Sequence, residues 1–136
     1  MRFVDTNVLL YAVSRARGET AKAETARRLL DATDLALSVQ VLQEFYVQAT
    51  RPTRPDALSH EQAALLFESW LRFPVQETTV PLVRLAFELK QRFRLSYWDA
   101  AILAAARLLE CETVLSEDLA HGRDYDGVRA VNPFRQ

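Results

Sequence analysis

Three apolar runs in this chain, Arg2–Val4, Leu35–Ser38 and Thr113–Leu115, are only three or four residues long, and each gives way to a stretch of helical periodicity. Residues 20–32 place Ala23, Ala26, Leu29 and Leu30 at helical spacing, and residues 40–50 place Leu42, Phe45, Tyr46 and Ala49 on one stripe that stops before Arg51-Pro52. Ser59-His60-Glu61-Gln62 reads as a capping box, followed by Ala63, Leu66, Phe67 and Trp70 at core spacing. Residues 79–94, with Pro81 tolerated in the first turn, and the Ala-rich residues 96–110 read as two more helices, and 129–131 as a last strand. Short strands separated by helices predict an α/β fold with a mainly parallel sheet covered on both faces. In such sheets ligands bind outside the carboxyl ends of the strands, so the residues after each strand are the ones to inspect.

A chain of 136 residues, 49% hydrophobic, is long enough for one core and short for two, so a single domain over residues 1–136 is expected. The formal charge of -1 does not mark a nucleic-acid binder, although Lys22 and Lys90 are the only lysines and the remaining basic residues are Arg, the side chain that grips phosphate bidentately. Cys111 stands alone, which excludes an intramolecular disulfide and suits a reducing cytoplasm. Asp5 and Asn7 interrupt the first apolar run, against a signal-peptide core or a membrane span.

Asp5 follows the first strand, Glu44 lies two turns beyond the second, Asp99 opens the helix before the third, and Asp118 follows that strand. All four can face one sheet edge. Carboxylates gathered there repel one another unless cations neutralise them, and an all-oxygen site suits Mg2+ or Mn2+. Each acid also has a plainer explanation. Asp5 can cap the following helix, Ser96 to Asp99 can form a helix cap, Ser116-Glu117-Asp118 can be an ordinary turn, and Glu44 lies opposite its helix's apolar stripe, where a solvated glutamate is expected. Trp98, Ile102, Ala105 and Leu109 are expected to form the buried stripe of the last long helix, with Asp99 at its boundary. Phe67, Trp70, Leu71 and Phe73 offer more apolar surface than a small sheet needs, which leaves room for a homodimer face.

The strings Phe3-Val4-Asp5-Thr6-Asn7-Val8-Leu9-Leu10, Val41-Leu42-Gln43-Glu44-Phe45, Leu95-Ser96-Tyr97-Trp98-Asp99-Ala100-Ala101-Ile102 and Leu115-Ser116-Glu117-Asp118-Leu119, with the tail from Asp126 to Phe134, together resemble the PIN-domain family, specifically its VapC-type toxins. The resemblance spans nearly the whole chain. It implies a three-layer α/β/α sandwich and an Mg2+- or Mn2+-dependent endoribonuclease, dimeric and inhibited by a cognate antitoxin. Asp5, Glu44, Asp99 and Asp118 match the family's acidic positions. Asn7 and Ser116 match its assisting polar residues, with Ser where Thr is more familiar, and Glu117 could share or replace the role of Asp118.

The expected mechanism has Asp5 and Asp99 hold the metal that activates a water, Glu44 orient or deprotonate that water, and Asp118 steady a second ion or the water shell. By analogy with metal-assisted phosphodiester cleavage, the products would be a 5′-phosphate and a 3′-hydroxyl. An acidic site needs nearby cations to steer RNA, and Arg15, Arg17 and Arg123 are the candidates, with solvated surface arginine as the alternative. Two rivals stand beside this reading: a non-catalytic PIN-like module that binds protein or RNA, and a haloacid-dehalogenase-like phosphohydrolase with Asp5 as nucleophile. The second would want an Asp where Asn7 stands. His60 and His121 lack zinc spacing.

Overall fold

The computed structural model describes residues 1 to 135. Its elements run β1 (Arg2–Val4), α1 (Thr6–Ala12), a 3-10 turn (Arg17–Glu19), α2 (Thr20–Leu29), β2 (Leu35–Ser38), α3 (Val39–Ala49), α4 (His60–Trp70), β3 (Val75–Gln76), α5 (Val80–Phe93), α6 (Tyr97–Leu108), β4 (Thr113–Leu115), β5 (Asp124–Tyr125) and β6 (Val128–Val131). Helix starts follow local chemistry. Ser38, Ser59, Thr79 and Ser96 each accept a bond from a first-turn amide, and Ser59 with Gln62 completes the capping box.

The sheet order is β3-β2-β1-β4-β6-β5, parallel except for the β5–β6 pair. From β1 the chain steps outward through α1 and α2 to β2, then through α3 and α4 to β3. It returns through α5 and α6 to β4, on the other side of β1. Right-handed crossovers taken in opposite directions put the two helical groups on opposite faces. The packing agrees, since α1 touches α2 and α3, α3 touches α4, and α5 lies on α6, which covers β2, β3, β4 and β6. The result is the expected three-layer α/β/α architecture. The strand order reverses between β1 and β4, and there the loops after the two strands diverge and leave a crevice at the carboxyl edge.

Three expectations need correction. Strands β3 and β5, two residues each, carry too little pattern to reveal a period. Even so, the β5–β6 hairpin has a local signal in Asp126-Gly127, both with positive φ (58° and 99°), as a two-residue hairpin loop requires. Helix α6 is not one-sided: Ala100 to Ala106 are all buried because the helix lies between the sheet and α5, and Trp98 is 64% exposed rather than part of a core stripe. Tyr46 likewise points outward, and Val41 takes its place in the core. Of the apolar group on and after α4, Trp70 and Phe73 are buried, so only Phe67 and Leu71 remain exposed.

Because α6 is buried all round from Ala100 to Ala106, its alanines set how closely helix and sheet approach. Ala104→Leu is therefore expected to destabilise the fold by about 1–3 kcal/mol through overpacking, read as a lower urea midpoint with little change in slope.

Candidate metal centre

Pairing of Phe3 with Val114 and Val4 with Leu115 brings the ends of β1 and β4 side by side, so Asp5 and Ser116 emerge next to each other. The Asp5 amide donates to the Leu115 carbonyl (3.0 Å), and the chain then turns into α1. Asp5 is both the N-cap of α1 and a site residue. Its Oδ1 accepts from the Thr6 amide (2.7 Å) and its Oδ2 from the Ser116 hydroxyl (2.7 Å). Ser116 is fully buried, and its Oγ also accepts from the Asp118 amide (3.0 Å), so one hydroxyl fixes both the first carboxylate and the turn that carries the last. Asn7 Nδ2 sits over this junction, 3.3 Å from Ser116 Oγ, 3.3 Å from Asp118 Oδ2 and 3.4 Å from Asp5 Oδ2.

Glu44 projects from α3. It is half-buried and held rather than solvated, accepting from Gln40 Nε2 (2.7 Å) and Thr6 Oγ1 (3.3 Å). Asp99 stands in the first turn of α6, where the Ser96 hydroxyl accepts from its amide (3.1 Å). Asp5, Glu44, Asp99 and Asp118 all line one cavity of about 110 Å3 beside Asn7. Glu117, adjacent in sequence, turns the other way. Tyr11 OH (2.7 Å) and Lys22 Nζ (3.0 Å) donate to it, and it lines a neighbouring cavity instead. The fourth acid of the cavity is thus Asp118.

The ion pairs of the described residues join Arg2 to Asp34, Lys22 to Glu117, Arg54 to Asp56, and both Arg92 and Arg107 to Asp126. None of the four cavity acids has a cationic partner. The consequence is visible in the proton affinities of Asp5 and Asp99. Burial pushes Asp5 up to about 7, with Asp118 and Glu44 adding repulsion, against the bonds from Ser116 and Thr6 that favour the charged form. Asp99 is also raised, by burial first and then by Asp118.

Among the described residues no three acidic, histidine or cysteine side chains converge tightly enough to chelate one ion directly. Oxygen donors spaced around a small polar cavity fit Mg2+ or Mn2+, which engage one or two carboxylates and keep much of their water. Asp5, Asp99 and Asp118 are the residues that would hold such an ion.

The steering arginines separate. Arg15 lines a cavity of about 670 Å3 that shares Asn7, Leu10 and Gln48 with the acidic one, and Arg54 lines the same cavity. Arg17 is exposed in the 3-10 turn and lines neither cavity, while Arg123 is stacked on Phe93 and Tyr125 (5.3 and 4.9 Å to the ring centroids). Sequence reasoning missed Thr6, Gln40, Gln48, Arg51 and Arg54. Only Gln40, four residues before Glu44 on a helix, carries a readable signal.

Fold and site together define an α/β/α protein whose carboxylates cluster at the switch point of a parallel sheet. A family model for the PIN domain matches residues 2–123, and the chain belongs to the PIN domain family. No curated protein sequence matches it. Among solved structures it is similar to a toxin-antitoxin complex from Klebsiella pneumoniae (22% identity, 98% of each chain, TM-score 0.69). It is similar also to the sarcin-ricin-loop-cleaving VapC toxin of Mycobacterium tuberculosis (22% identity, 87% of this chain and 92% of that one, TM-score 0.66). DNA-bound VapBC from Salmonella typhimurium shares the fold as well (16% identity, 95% of each chain, TM-score 0.65).

The raised Asp5 gives a stability prediction. The folded carboxyl keeps its proton up to about pH 7 whereas the unfolded one loses it near 3.8, so stability of the metal-free protein falls as pH rises between those values. The full cost, on the order of a few kcal/mol, is present above pH 7. Asp5→Asn should therefore raise the urea midpoint at pH 7.5 in EDTA, with the gain vanishing toward pH 4. Saturating Mg2+ should raise Tm more in wild type than in this variant. A variant no more stable than wild type at pH 7.5 would refute the account.

Proposed function

We propose that this PIN-domain protein is an Mg2+- or Mn2+-dependent endoribonuclease of the VapC toxin type, held inactive by a cognate antitoxin. The observation that carries the reading is the set of four carboxylates without cationic partners, around one cavity, at the switch point of the sheet. The choice of RNA is supported by the fold shared with the sarcin-ricin-loop-cleaving toxin, and that of an antitoxin by the toxin-antitoxin complexes of the same fold. A homodimer belongs to the same proposal. Phe67 and Leu71, exposed beside the α3–α4 groove, are the apolar side chains it would use.

Bound in the cavity, the metal would supply positive charge to a phosphodiester and a more acidic water. The chain's own residues do the rest. Ser116, Thr6 and Asn7 hold the Asp5 carboxylate in one orientation, so no reorganisation is needed when the ion enters. Gln40 and Thr6 hold Glu44 by its two oxygens at the cavity wall, where it is placed to take a proton from an attacking water. Arg15 and Arg54, in the adjoining larger cavity, offset the repulsion between the acids and the RNA backbone.

Purified protein should cleave single-stranded RNA in Mg2+ or Mn2+ and lose the activity in EDTA. Asp5→Asn and Asp99→Asn should each lower the rate by about 100-fold or more without unfolding the chain. Undiminished cleavage by either variant sinks the mechanism, and metal binding without turnover of any RNA favours the non-catalytic module. Arg15→Ala and Arg54→Ala should each reduce the slope of log affinity against log salt by about 0.7, as loss of one phosphate contact on a single strand predicts. Arg17→Ala should leave the slope unchanged.

A further inference from the structure

Trp98 is the residue next to Asp99, yet its indole is 64% exposed. Indole is costly to leave in water, and a large exposed aromatic side chain is informative where a small one is not. Its position is also fixed. Ser96 caps the turn that carries it, Gln40 Nε2 donates to its backbone carbonyl (3.4 Å), and its ring stands edge-on to Tyr97 (5.0 Å), which in turn leans on Phe87 (5.9 Å).

The ring borders two cavities at once. One is the acidic cavity, and the other, about 450 Å3, is lined by Gln40, Gln43, Val47, Gln48 and Arg51 together with Glu44 and Trp98. Gln48 borders both of these and also the cavity of Arg15 and Arg54, so the three form one trough with the acids in the middle. The two ends differ in chemistry. One end carries Arg15 and Arg54 among Glu19, Asp56 and Glu117, whereas the end with Trp98 sets a flat apolar face and uncharged amides beside Glu44 and the single cation Arg51. Gln43 and Gln48 have no hydrogen-bond partner for those amides among the described residues, and they match the donor and acceptor edges of a nucleobase.

We propose that Trp98 and the amide-lined cavity beside it form a base-binding subsite, in which one unpaired base next to the scissile phosphate stacks on the indole. The subsite rests on the ribonuclease reading for its substrate. It makes Trp98 a positioning and selectivity residue, because a base seated there holds the adjoining phosphodiester over the acids. It also accounts for single-stranded RNA as the substrate, since a paired base cannot leave its helix to stack without losing its partner.

The test uses the full chain carrying Asp5→Asn, so that RNA stays intact, in Mg2+ buffer with a mixed-sequence octaribonucleotide as probe, a length within the range of about 4–16 nucleotides that one such site spans. Trp70, the second tryptophan, is buried against Phe45 and gives a constant background to the intrinsic fluorescence. The octamer should quench Trp98. Read for every variant by the anisotropy of a dye-labelled octamer, Trp98→Ala should weaken binding about 5- to 100-fold, with Trp98→Phe retaining most of the affinity, as base stacking predicts. Removing single bases in turn should reveal one position whose abasic form binds wild-type Trp98 as weakly as the intact octamer binds Trp98→Ala, with no further loss when both changes are combined. The proposal is overturned if Trp98→Ala binds within about two-fold of its parent. It is equally overturned if every abasic penalty adds in full to the substitution, or if Trp98→Ala changes only the oligomeric state or capture of a protein partner. Cleavage of the same octamer by wild-type protein is scored separately. Base-dependent binding without cleavage rejects the nuclease reading and keeps the subsite, and cleavage indifferent to Trp98 does the reverse.

Discussion

The hydroxyl of Ser116 is the point on which this architecture turns. It donates to Asp5 at the end of β1 and accepts from the amide of Asp118 beyond β4, so the two strand ends that flank the switch point are tied together by one buried group. Parallel pairing of β1 with β4 puts that hydroxyl within reach, and α6, buried from Ala100 to Ala106, packs on the sheet while presenting Asp99 from its first turn. A carboxylate 5% exposed, without a counter-ion and facing two others, is poorly placed for stability. Its bonds from Ser116, Thr6 and Asn7 orient the charge without cancelling it, which leaves an anionic group facing the cavity.

Around this centre the trough is asymmetric, and the asymmetry comes from loops rather than from the sheet. The Arg51 to Leu58 segment is tied back by the Leu58 amide on Ala49 and by the Arg15 amide on Asp56, and Arg54 closes the same knot. A stretch that reads only as a proline-rich connection thus supplies the cationic wall. The opposite wall comes from α3 and the first turn of α6, where glutamines and an indole stand beside Glu44 and Arg51. Under the proposed function, a strand of RNA crossing the acids would meet Arg15 and Arg54 on one side and the Trp98 indole on the other.

Much of the frame was legible in the residues because it rests on local rules. Helix starts at Ser59 and Ser96 follow from side-chain caps, and strands β1, β2 and β4 from short apolar runs. What misled was periodicity where packing is not one-sided. Trp98 shares a helical stripe with Ile102 and Ala105, but α6 is enclosed beyond its first turn and open at it, so position along the helix outweighed position around it. Glu44 failed in the other direction. It is off its helix's apolar stripe, yet Gln40 and Thr6 hold it half-buried over a cavity that α3 forms only together with the ends of β1 and β4 and the start of α6.

By itself the sequence determined most element types, the parallel α/β class, and that Asp5 and Asp118 follow strands while Asp99 opens a helix, because these depend on residues near one another in the chain. Tertiary structure decided which of them face one cavity. It turned Glu117 toward Lys22 and left Asp118 at the cavity, stacked Arg123 on aromatic rings, brought Arg54 beside the site from a segment with no motif, and turned Trp98 out of the core. The reason is physical: burial, repulsion between like charges and access to substrate depend on distances across the sheet edge, and those distances exist only once β1 and β4 have paired.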